Sequence, residues 1–316
     1  MNVEKVAQLG AILEKWCADG YPYLAGEEQT VAEDVFRELY QMQANGDAAA
    51  RQAMGFLGSK VSKPELTDFD LKGYFSGMVS RLGFTDKQCE LFGEHLGSAE
   101  MYTAVPMERL TRSFALREVC DVETSKAYQA RAEKILDSIV QAPSEPNQTL
   151  AKLLAGNPVV FSFEKNEHPD ASMSSVYIDG KVRPLMEIQS GLMNADKVDD
   201  NELAFTIAHE LGHWIDFSGR PENYFGREKL WQECFADMVG YKMAKNAGYD
   251  MSFAVEKRKI MAKEQRAYCK AENKPLPEKT IFEKRVELLE QAFGNDETSK
   301  SNMVMINRLS GLKKER

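Results

Sequence analysis

Residues 199 to 217 read DDNELAFTIAHELGHWIDF, and residues 227 to 247 read REKLWQECFADMVGYKMAKNA. Both stretches carry apolar residues at spacings of three and four, which predicts a pair of helices. Asp199 and Asp200 are residue types that open helices, and Asp199 with Glu202 has the spacing of a reciprocal cap. Gly248 follows the second stretch, where a helix end favours positive φ. Within the first helix His209, Glu210 and His213 stand in the order HExxH. At about 3.6 residues per turn the two imidazoles leave one face a turn apart, so both can meet a single ion.

Glu233 lies 20 residues beyond His213 and Asp237 a further four, giving HExxH-x19-ExxxD. A helix, a turn and an antiparallel return helix would carry Glu233 back beside the histidine pair as a third ligand. Three protein ligands leave a fourth position for water, as in catalytic rather than closed structural zinc sites. Zn2+ is therefore the expected cofactor, with His209, His213 and Glu233 as its ligands. Zinc draws the pKa of its water toward about 7, and Glu210, next to the first ligand, is placed to take the proton and hand it to a departing amine. Asp237 is expected behind the site, accepting the other ring N–H of His209 and fixing its tautomer. Gly212 in mid-helix costs about 1 kcal/mol relative to Ala, so the cleft or a neighbouring strand is expected to approach closely there. Cys234, turned about 100° from Glu233, reads as a buried small hydrophobe and not as a thiolate ligand.

This text resembles the gluzincin metallopeptidases, whose two-helix site is built on HExxH and a downstream glutamate. The offset to Glu233 and the run from Glu233 to Gly240 are similar to the thermolysin-type arrangement. Glu233 to Asp237, continuing to Ala247-Gly248-Tyr249-Asp250, is similar to the ExxAD...AGYD stretch of soluble relatives of HtpX-type peptidases. His213-Trp214 and the text from Phe225 to Asp237 are similar to the zincin domain of ArdC-type antirestriction proteins. The resemblance covers roughly residues 199 to 250 and implies a zincin fold, zinc and hydrolysis of peptide bonds. It also implies a catalytic role for Tyr224, which sits 11 residues after His213. Thermolysin-like enzymes place at that offset a tyrosine that assists the oxyanion. Their further histidine downstream of the glutamate has no counterpart, since no histidine follows His213; Tyr241 and Tyr249 are weaker candidates for that role.

Upstream, residues 1 to 142 carry helical spacing, broken by Gly20, Gly46, Gly58 and Pro64, and read as a helical domain of unassigned role. Pro143 and Pro146 lie close together in a stretch with little to bury, which reads as a boundary. Strand-forming runs follow at residues 159–165, 174–178 and 182–189, with Asp179-Gly180 as a hairpin signal. Pro184 cannot donate a ladder hydrogen bond, which predicts a sheet edge or a bulge for the last of these strands. The expected fold is α+β and mostly helical. Residues 143–316 form the zincin-like domain, with a small mixed sheet, a two-helix metal site and a helical C-terminal extension from about residue 251.

The 316 residues are about two domains' worth, and 43% apolar with 28% charged residues excludes a disordered chain. No run approaches the roughly 18 apolar residues of a membrane-spanning helix. The opening segment carries Glu4 where a signal peptide is positively charged, so a cytoplasmic location is expected. Five scattered cysteines with no CxxC spacing indicate neither a disulfide framework nor a thiolate zinc site. The net charge of -9 is uneven: residues 251–316 carry +5, leaving -14 on residues 1–250, a field that repels nucleic acid. The expected partner is a protein or peptide substrate, held extended along the hairpin at residues 174–189, with the helical half restricting the choice of protein. The alternative from a different class is a non-catalytic zincin-fold interaction protein, nucleic-acid-associated through its basic C-terminal stretch.

Overall fold

The computed structural model describes residues 3–18, 26–44, 47–60, 71–96, 102–103, 119–178, 181–219, 226–227, 229–271, 276 and 278–294. The chain divides into two compact units, one of residues 1–69, 101–118 and 220–228, the other of residues 70–100, 119–219 and 229–316.

In the first unit, α1 (Val3–Ala18), α2 (Gly26–Ala44) and α3 (Ala48–Lys60) turn their apolar stripes to a shared core. Leu9, Leu13, Phe36, Leu39 and Leu57 are fully buried there. Charged pairs such as Lys60–Glu14 at 2.8 Å lie on its surface. Two-residue strands β1 (Tyr102–Thr103) and β5 (Gly226–Arg227) pair antiparallel in the same unit.

The second unit holds a three-stranded mixed sheet among helices. β2 (Val160–Glu164), β3 (Ala171–Ile178) and β4 (Lys181–Gln189) stand in the order β2-β4-β3, with β2 parallel and β3 antiparallel to β4. The helices are α4 (Leu71–Arg81), α5 (Asp86–Leu96), α6 (Val122–Gln141), α7 (Glu145–Leu154), the single turn α8 (Ser190–Met193), α9 (Asp200–Gly219), α10 (Lys229–Asn246), α11 (Ser252–Ala271) and α12 (Ile281–Phe293). The described chain is thus mostly helical with a small sheet, an α+β fold. No described helix is long and apolar enough to cross a membrane.

The division does not fall at residue 142. Phe75 of α4 lies near Phe92 of α5 and near Trp231 and Phe235 of α10, with ring centroids 5.5 to 6.1 Å from Phe75. Burying these aromatic faces together joins α4 and α5 to the later helices. The proline-rich stretch is structural as well. Pro146 sits in the first turn of α7, where a missing N–H costs nothing, and Asn147 is fully buried. Its amide donates to the carbonyl oxygens of Ile139 at 2.6 Å and Met243 at 3.2 Å, fastening α6 to α10.

Pro184 also departs from expectation, because β4 is the central strand and not an edge. β2 begins its pairing at Val160 opposite Leu185, so Pro184 lies where β4 has β3 as its strand neighbour, opposite Ser175. A proline is tolerated in an inner strand whose second partner starts one residue later. The hairpin closes between Ile178 and Lys181, which are paired; the Asp179-Gly180 signal itself lies outside the described residues.

Helix ends follow the sequence closely. Asp199 Oδ1 accepts from the Glu202 N–H at 2.9 Å, while the Glu202 carboxylate turns to Lys257 Nζ at 2.6 Å. Gly248 adopts φ +92°, and the next N–H, that of Tyr249, donates to the Ala244 carbonyl at 3.1 Å, closing α10. Of the cysteines, Cys89, Cys120, Cys234 and Cys269 are free.

Candidate metal centre

Two glycines set the distance between α9 and α10. A Cβ on Gly212 would stand 2.9 Å from the Ala236 Cα, and one on Gly240 would stand 2.7 Å from the His209 nitrogen. His209 thus meets Gly240 while Gly212 meets Ala236, so the helices run antiparallel with their backbones nearly touching. The close neighbour at Gly212 is a helix, not a strand or a cleft. Gly240, which sequence reasoning passed over, has the larger role, because the backbone it accommodates belongs to a candidate ligand. Gly240→Ala is therefore expected to destabilise the protein. Helix propensity favours Ala by up to about 1 kcal/mol, but overpacking against rigid backbone costs about 1–3 kcal/mol. A melting temperature equal to or above wild type would refute this account of the helix contact.

The contact brings four predicted residues together. His209 Nε2 lies 3.5 Å from Glu233 Oε2, and His213 Nε2 lies 3.9 Å from Glu233 Oε1. The two imidazoles cross at 86° with centroids 4.8 Å apart. Glu210 Oε1 is 3.9 Å from His209 Nε2, and His209, Glu210 and His213 offer donor atoms all within 4.8 Å of one another. Tetrahedral zinc with bonds of about 2.0–2.2 Å sets its ligand atoms roughly 3.3 Å apart. The two imidazole-to-carboxylate separations exceed that value by about 0.2 and 0.6 Å. The donor chemistry suits the ion: His209, Glu210 and His213 cluster closely enough to hold one, and Glu233 lies beside them.

Asp237 Oδ1 is 2.9 Å from His209 Nδ1, but the ring N–H is not aimed along that line and the expected hydrogen bond to it is not well formed. The same carboxylate is shared with two buried arginines that the sequence alone did not reveal. Asp237 accepts from Arg258 Nη2 at 2.7 Å, from Arg285 Nε at 2.6 Å and from Arg285 Nη2 at 2.8 Å. Arg285 Nη1 also reaches Glu233 Oε2 at 2.7 Å.

Electrostatics separate the titrating groups. Burial pushes the Glu210 carboxyl up to about 8, with the charges of Glu233 and Asp170 adding to the rise and His209 opposing it. Burial also drives His213 down to about 3, with His209 acting in the same direction, so this imidazole is neutral with a free lone pair at neutral pH. Burial would lower His209 too, yet Asp237 and Glu233 outweigh it and hold the ring above its ordinary value. Glu233 and Asp237 resist the upward push of burial. Arg285 holds the first well below the usual carboxylate range, and Arg258 with Arg285 does the same for the second. Burial raises the Cys234 thiol, which stays neutral and packs as a small hydrophobe.

The remaining candidates fall elsewhere. Tyr224 lies outside the described residues. Tyr241 is buried and stacks on Phe293, with centroids 4.1 Å apart, so its ring is committed to packing. Comparison of the chain with protein-family models, with curated proteins and with solved structures finds no match.

Proposed function

We propose that this chain is a zinc-dependent endopeptidase that hydrolyses peptide bonds in a restricted protein substrate, its second unit having a zincin-like architecture. One observation carries the reading: His209 and His213 from one helix and Glu233 from the next converge at ligand spacing, with the buried carboxyl of Glu210 beside them. The gluzincin resemblance of residues 199 to 250, carried by the same residues, agrees with it.

His209, His213 and Glu233 would hold the ion. Bound there, zinc supplies Lewis acidity, acidifying a water and polarising a carbonyl. Glu210 would take the proton of the attacking water at its carboxylate and return it to the leaving amine. Asp237 lies on the Nδ1 side of His209, and Nε2 is turned toward Glu233. The substrate would lie extended along β3, the edge strand that packs on α9; β4, the other half of the expected hairpin, is internal and unavailable.

Charge placement favours this reading over one in which the C-terminal helices bind nucleic acid. Among the described residues, five of the basic side chains there face acids of the same chain: Lys257 to Glu202, Arg258 to Asp237, Lys259 to Glu256 and Glu290, Arg266 to Glu283 and Lys279 to Glu287. The purified protein is expected to contain one zinc per chain, to lose cleavage of protein substrates on chelation and to regain it when zinc is restored. Absence of stoichiometric metal by elemental analysis, or cleavage indifferent to chelation, would overturn the proposal.

A further inference from the structure

Arg285 belongs to α12, 48 residues beyond Asp237, in a stretch expected to be a mere extension. Its side chain is 4% exposed, and its guanidinium spans two carboxylates that stand one turn apart on α10. Nε and Nη2 hold Asp237, and Nη1 holds Glu233 Oε2. A structural ion pair with Asp237 alone would not require this reach, because Arg258 already supplies that carboxylate with a cation. The third contact has a specific consequence. Oε2 is engaged by Arg285 and lies 3.5 Å from His209 Nε2, while Oε1, the oxygen left free of the Arg285 pair, faces His213 Nε2 at 3.9 Å.

We propose that Arg285 is a positioning residue for the metal carboxylate, clamping Glu233 to Asp237 so that Glu233 offers the ion one oxygen in a fixed orientation. This rests on the metal-site reading above. It makes α12 a working part of the centre, since the rigid fork that orients the third ligand comes from there. A guanidinium is suited to the task because its donors are coplanar and set at fixed angles, whereas the three donors of an ammonium rotate on one atom and fix no orientation.

The test compares wild type with Arg285→Lys, which keeps the buried charge but loses the fork. Both are loaded with Co2+, and the visible absorption bands and the affinity are measured alongside melting of the metal-free proteins. The lysine variant is expected to remain folded, to bind Co2+ about 10–100-fold more weakly and to show an altered spectrum, the range typical of lost partners behind metal ligands. Wild-type affinity and spectrum in the variant would overturn the clamp while leaving the metal centre standing. No Co2+ uptake by wild type would overturn the metal reading, and the clamp with it. Should the lysine variant not fold, a crystal structure of zinc-loaded wild type decides: Glu233 bound through one oxygen, with the other still on Arg285, supports the clamp, and Glu233 bound through both with Arg285 displaced refutes it.

Discussion

Glu210→Gln is expected to take up zinc as the wild type does and to cleave substrate about 10²–10⁴-fold more slowly, the usual contribution of a general base. The amide matches the carboxylate in size but cannot accept the water's proton, and the imidazole and carboxylate ligands are untouched. The same substitution has a signature in the metal-free protein. Glu210 has a folded pKa of about 8 against an ordinary 4.5, so the folded state binds the proton more tightly than the unfolded one. The stability that Glu210 contributes is then fully present below pH 4.5 and is lost as pH rises through 8. Glu210→Gln should be relieved of that loss, so metal-free variant and wild type should diverge in melting temperature as pH rises across this window. Proteomic comparison of cells expressing the two forms should show substrates that disappear with wild type and persist with the variant. Undiminished cleavage by the variant would sink the mechanism.

How much of this was legible in the chain can be judged residue by residue. HExxH, the offset to Glu233 and the caps at Asp199 and Gly248 are local signals, and the structure places the corresponding elements within a few residues of expectation. Gly240 was legible by the same argument as Gly212, a glycine in mid-helix against its propensity. Arg258 and Arg285 were not legible. They lie 21 and 48 residues from Asp237, and a basic residue on an amphipathic helix looks alike whether it faces solvent or a buried carboxylate. The same ambiguity hid that Lys257, Arg258, Lys259, Arg266, Lys279 and Arg285 are paired with acids of the chain. Strand order was hidden as well. Pro184 ruled out a ladder donor but could not reveal that β2 stops one residue short of it.

The buried arginines give the second large effect. Asp237→Asn is expected to lower stability by about 3–5 kcal/mol, the cost of leaving a buried charge without its partner. That corresponds to a fall in melting temperature of roughly 10 °C in a domain of this size. Asp237 is 1% exposed and accepts three N–H bonds from Arg258 and Arg285, so an amide there turns a donor toward two cations and removes the acid that pairs with Arg258. The carboxyl is held well below its ordinary range, so its stabilisation is present above the ordinary carboxylate pKa and drains away only in strong acid. The loss in Asp237→Asn should therefore be nearly constant across neutral pH, unlike the pH-dependent effect at Glu210. It should also appear in full without metal, which separates two roles for this residue. If Asp237 served only to orient His209 for the ion, metal-free variant and wild type would melt together. If it anchors the arginine pair, adding Arg258→Met to Asp237→Asn should cost far less than Arg258→Met costs in wild type, because the charge it strands is already gone.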